Sequence, residues 1–158
     1  MSTGYTLYVK AQQSTLSQHF QDSLSVELVY PDTNSPLHQI DRIWMSIETD
    51  TDGDWDDEAE LLETSNLTIV SFIPSKTLKW ADELDLLRSV MSSIVDFDSV
   101  HDTPFLFAVF DRLTLQRLPK GSLTVDASFV DNRGEFNADS AFDPLLSSAA
   151  TDDIDREI

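Results

Sequence analysis

The stretch that decides the fold runs from residue 67 to residue 110, "LTIVSFIPSKTLKWADELDLLRSVMSSIVDFDSVHDTPFLFAVF". Its ends, residues 67–73 and 104–110, are apolar on both faces, which is typical of strands in the interior of a sheet. Between them, apolar side chains recur at steps of three and four, as on one side of a helix. These are Trp80, Leu84, Leu87, Met91 and Ile94. The stretch therefore predicts an interior strand, a long helix over about residues 76–95 and a second interior strand.

The N-terminal part of the chain predicts further strands. Residues 5–10 and 24–30 alternate between apolar and polar side chains, the pattern of half-buried strands. Between them, Leu16 and Phe20 stand at helical spacing and indicate a short helix. Residues 39–48 fit either a helix or a strand, but their β-branched content favours a strand that pairs with residues 24–30.

The C-terminal part predicts a hairpin and a tail. Residues 113–130 alternate around a turn in which Pro119 takes the second position and Gly121 the fourth position of a type I turn. A second turn follows, and the chain ends in polar, acidic residues.

This order of elements predicts an α+β domain over residues 1–146, followed by an acidic polar tail over residues 147–158. We expect a mainly antiparallel sheet of about five to seven strands. The long helix, about 20 residues and so about 30 Å in length, would pack across one face of it.

Composition excludes several classes of protein. The chain has 158 residues, of which 41% are hydrophobic, which suits one folded domain with its own core. It has no cysteine, so thiol catalysis, iron–sulfur clusters and disulfide frameworks are excluded. We find neither a secretory signal nor an apolar run near the roughly 20 residues that span a bilayer. The sequence thus predicts a cytoplasmic protein without membrane contact.

The net charge of −19 is regional. Residues 41–63 carry −9 and residues 121–158 carry −7, whereas residues 1–40 and 64–120 carry only −2 and −1. Such grouping is expected of a surface that meets a cationic partner, because a concentrated field steers association. Adaptation to high salt remains an alternative if folding spreads these carboxylates evenly.

The acidic segment, defined as residues 50–63 ("DTDGDWDDEAELLE"), holds eight carboxylates and no Lys or Arg. We expect residues 56–63 to form one to two helical turns, with Leu61 and Leu62 in contact with the core. The carboxylates and one tryptophan are our candidate partner-binding residues: Asp50, Asp52, Asp54, Trp55, Asp56, Asp57, Glu58, Glu60 and Glu63. Trp55 would either stack on a partner arginine or fold back to anchor the segment.

A calcium site is the alternative for the same segment. Asp52, Asp54, Asp56, Glu58, Glu60 and Glu63 match the ligand positions of an EF-hand loop. The match fails at the sixth position, where that loop requires glycine and this chain has Asp57. We therefore predict no bound metal or cofactor, and we keep a calcium-binding module as the competing hypothesis.

Catalytic motifs are absent from the sequence. There is no phosphate-binding loop, nucleophile elbow or metalloprotease motif among the 158 residues. One local cluster, Asp96, Asp98, His101 and Asp102, would suit acid–base chemistry if its members converged after the long helix. The alternative is a loop whose polar side chains cap backbone groups, and we favour that alternative.

The leading hypothesis is a non-enzymatic protein that docks on a basic protein, such as a nuclease or another nucleic-acid-binding protein. Direct binding of nucleic acid is disfavoured, since like charges repel. In composition the chain resembles two kinds of acidic antagonist, namely immunity proteins that block toxic nucleases and nucleic-acid mimics. No residue motif carries this resemblance, so it assigns no role to any residue.

Overall fold

The computed structural model describes residues 4–24, 28–29, 43–50, 53–75, 78–131, 136 and 142–154. The elements follow the chain as β1 (Tyr5–Val9), α1 (Gln13–Leu24), β2 (Leu28–Val29), β3 (Ile43–Thr49), α2 (Asp56–Leu61), β4 (Thr68–Pro74), α3 (Trp80–His101), β5 (Phe105–Val109), β6 (Arg112–Arg117), β7 (Thr124–Asp126), α4 (Ala127–Val130), α5 (Asp143–Leu146) and β8 (Ala150–Asp152). The predicted α+β class is confirmed.

The described strands form one sheet of eight, in the order β2-β3-β4-β1-β5-β6-β7-β8. Pairing is antiparallel throughout the middle and parallel only at the two edges, between β2 and β3 and between β7 and β8. The strands predicted as interior, β4 and β5, lie on either side of β1, and β3 pairs with β2 as expected. The short edge strands bring the count above the predicted range.

The main core lies on the face of the sheet that carries α1 and α3, called here the helical face. Leu16 and Phe20 of α1 are fully buried there. Helix α3 contributes a continuous apolar stripe that packs against alternate residues of the central strands: Leu86, Leu87, Val90, Met91, Ile94 and Phe97. The prediction of a long helix packed on one face is confirmed.

Both ends of α3 differ from the predicted range. Residues 76–77 lie outside the described residues, and Lys79 is extended, with φ −73° and ψ 155°, so the helix begins at Trp80. At the other end, Phe97 continues the buried stripe three residues after Ile94, which carries the helix on to His101. Asp102, in the left-handed conformation at φ 49°, ends it.

The predicted hairpin after β5 needs two corrections. Its turn is confirmed by the Gly121 N–H, which donates to the Leu118 carbonyl at 2.9 Å. However, Lys120 has φ 61°, and a positive φ at the third position belongs to type II, not type I. The second strand also stops at Asp126, whose carboxylate accepts the Ser128 N–H at 3.2 Å and caps a short helix where a strand was predicted.

The chain returns to the sheet near its C-terminus. Residues 150–152, which lie within the segment predicted as a polar tail, form β8 and pair in parallel with β7. Residues 155–158 lie outside the described residues. Of the strand predicted over residues 24–30, Leu24 instead ends α1 and Leu28–Val29 form β2, while residues 25–27 and 30 lie outside the described residues.

Candidate functional site

The acidic segment rests on a second, smaller apolar cluster on the face of the sheet opposite the helical face. The buried members of this cluster are Tyr8, Leu62, Leu67, Ile69, Leu106 and Leu113. Leu62 is only 2% exposed, and Leu61, Ala59 and Trp55 are partly buried against the same cluster. The prediction that Leu61 and Leu62 contact the core is confirmed.

A side-chain-capped turn opens the segment. The Asp50 N–H donates to the Leu67 carbonyl at 2.9 Å, which ties the end of β3 to the start of β4. One Asp50 carboxylate oxygen accepts the N–H groups of Gly53 and Asp54, at 3.0 and 3.2 Å. Gly53 has φ +75°, a conformation that glycine adopts without steric cost. Asp50 therefore shapes the turn in addition to carrying charge.

Helix α2 then presents its carboxylates on a fixed backbone. Three of them occupy its first turn, where the helix dipole favours negative charge: Asp56, Asp57 and Glu58. At the other end, the Thr64 N–H donates to the Ala59 carbonyl at 3.0 Å, and Glu63 is left-handed at φ 54°. This arrangement is the common way for a helix to end, although glycine is the usual residue at the left-handed position.

The apolar side of α2 packs down, so most carboxylates face solvent. Five of the nine candidate residues are exposed: Asp54, Asp56, Asp57, Glu60 and Glu63. Asp50, Trp55 and Glu58 are half-buried, and Asp52 lies outside the described residues. Within the described part of the chain, no carboxylate of residues 53–63 pairs with a lysine or arginine. The structure thus presents uncompensated negative charge on a short, anchored helix.

Trp55 folds back onto β1. Its indole is partly buried against the second cluster, beside the side chain of Tyr8, a residue that is 6% exposed. Burial raises the pKa of Tyr8 to about 12, and the nearby charges of Glu58 and Asp111 act in the same direction. A cleft of about 360 Å³ opens between Tyr8 and residues 53–58. The structure shows the anchoring role of Trp55, while its contact with a partner arginine stays a prediction.

The residues that match the EF-hand positions, called here the calcium register, are not arranged around a common point in the described ranges. Asp56 and Glu58 belong to α2, and side chains two residues apart on a helix do not face each other. Across the ranges that the structure describes, no group of three or more acidic or histidine side chains is placed to hold a metal ion. Asp52, the first residue of that register, lies outside those ranges.

The 96–102 cluster forms the end of α3 and not a loop, but the capping expected of it is present, because the Asp98 carboxylate accepts the Thr103 N–H at 3.1 Å. Asp98 and Asp102 converge on Arg117 of β6, with Arg117 Nε 2.8 Å from both Asp98 carboxylate oxygens and Nη2 2.9 Å from Asp102 Oδ1. These hydrogen bonds, foremost the one to Asp98, raise the pKa of Arg117. His101 is exposed and does not join them. The cluster ties a helix to a strand.

Comparison with known proteins gives no relative for this chain. No family model, curated protein or solved structure matches it significantly. In the ranges that the structure describes, no helix is both long and apolar enough to cross a membrane.

Sequence reasoning missed Tyr8, the residue on which Trp55 is anchored. Tyr5, Leu7 and Val9 share one side of β1 and enter the main core, so Tyr8 must point to the other side. The alternation of side chains in β1 therefore predicts the side on which Tyr8 lies. It does not predict that the acidic segment packs on that side.

Proposed function

We propose that this chain is a non-enzymatic interaction protein that docks the exposed side of the acidic segment on a basic protein, such as a nuclease or another nucleic-acid-binding protein. The observation that supports this most directly is the set of five exposed carboxylates around α2, none of which pairs with a described cation. Such a patch attracts a positively charged surface on a partner protein.

The anchoring of α2 strengthens the proposal. Its apolar residues are held on the second cluster, and Asp50 fixes the turn before it. A patch that is ordered before binding loses less conformational entropy when the complex forms. Complementary charge also accelerates encounter by roughly 10- to 1,000-fold at low ionic strength.

Two variants with the same net charge test the site. One carries Asp54→Asn, Asp57→Asn and Glu60→Gln in the acidic segment. Its matched control carries Asp22→Asn, Asp82→Asn and Asp96→Asn, at exposed positions of α1 and α3. Each would be measured by biolayer interferometry on an immobilised arginine-rich peptide at several salt concentrations.

The proposal predicts that the acidic-segment variant binds about tenfold more weakly than the wild type, a change of about 1.4 kcal/mol. The control variant should bind within about twofold of the wild type, and wild-type binding should weaken as salt rises. Equal loss in the two variants would mean that the peptide senses only total charge, and the proposed docking site would be wrong.

A further inference from the structure

We draw no further inference here: the strongest candidate, the cleft of about 360 Å³ between Tyr8 and the acidic segment, is an acidic cluster that belongs to the site already described, and no second observation among the described residues identifies a ligand for it.

Discussion

The ion pairs of Arg117 and Arg88 differ sharply in burial. Arg117 and Asp98 are mostly buried, with side chains 15% and 12% exposed, whereas Arg88 and Asp85 are 41% and 55% exposed. A buried carboxylate that loses its partner keeps its desolvation cost, but an exposed one is solvated at once. Replacing each arginine in turn therefore compares the stability lost from a mostly buried ion pair with that lost from an exposed one.

We expect Arg117→Gln to lower the free energy of unfolding by on the order of 3 kcal/mol, because Asp98 would be left without its cation. Arg88→Gln should cost less than about 1 kcal/mol. Urea denaturation of both variants measures the difference. Equal effects would contradict the assignment of Arg117 as the residue that joins α3 to β6.

The buried phenol of Tyr8 predicts a loss of stability at high pH. Its pKa rises to about 12 on folding, from about 10 in the unfolded chain, so the folded state holds the proton more tightly. The stabilisation from this proton is complete below about pH 10 and is lost as the pH rises through about 12. Urea midpoints measured over this range should fall less steeply for Tyr8→Phe than for the wild type.

Tyr5 serves as the internal reference in that experiment. Burial raises its pKa as well, and it is present in both proteins, so some loss of stability with pH should remain in the variant. Identical slopes for wild type and Tyr8→Phe would show that Tyr8 ionises as freely as in the unfolded chain.

Among the elements, helix α2 is followed by a residue whose backbone conformation is unfavourable, and a substitution could relieve this cost. Glu63 is left-handed, a conformation that costs most residues about 1–2 kcal/mol and glycine nothing. We expect Glu63→Gly to stabilise the protein by up to about 1 kcal/mol. Glu60→Gly makes the same charge change inside the helix and should destabilise by about 1 kcal/mol.

Thermal unfolding of the two glycine variants gives the sign of each effect. Opposite signs are expected because the two positions differ only in backbone conformation and place in the helix. If both variants destabilise, the left-handed end of α2 does not exist in solution, and the acidic segment is not ordered as described.

The elements could be predicted from sequence wherever an apolar pattern was long. Strands β4 and β5 and helix α3 follow directly from it, and even the true end of α3 was signalled by Phe97. Asp96 and Asp98 obscured that signal, because aspartate usually marks loops and caps. The turn type at Lys120 depended on one backbone angle that no side-chain pattern specifies.

The sequence predicted which residues form the candidate site but not which parts of the fold they contact. The charge of the acidic segment and the burial of Leu62 both followed from the sequence. The contact with Tyr8 joins positions far apart in the chain, and the partial burial of Asp98 depends on Arg117 in a different element. Such pairings depend on strand order, which local periodicity does not determine.

At the scale of the whole molecule, negative charge is present on both sides of the sheet but is balanced differently. Exposed carboxylates occur on the helical face as well, at Asp22, Asp82 and Asp96. That face also holds the Arg88–Asp85 pair, whereas the acidic segment has no described cation partner. The acidic segment should therefore be the main source of self-repulsion.

Stability should rise with salt, since the distance over which charges interact falls from about 30 Å at 0.01 M to about 3 Å at 1 M. We expect the rise in urea midpoint to be smaller in the variant with Asp54→Asn, Asp57→Asn and Glu60→Gln than in the variant with Asp22→Asn, Asp82→Asn and Asp96→Asn. An equal rise in both would favour general adaptation to high salt over a localised docking surface.

The position of Trp55 beside Tyr8 has a practical consequence. An indole held at the rim of the acidic cleft is a built-in fluorophore whose emission depends on what lies beside it. A guanidinium group arriving there would displace water from the ring and shift that emission. Complex formation could thus be followed on the unlabelled protein: Trp55 lines this cleft and Trp44 and Trp80 do not, so the change in emission would originate at the contact.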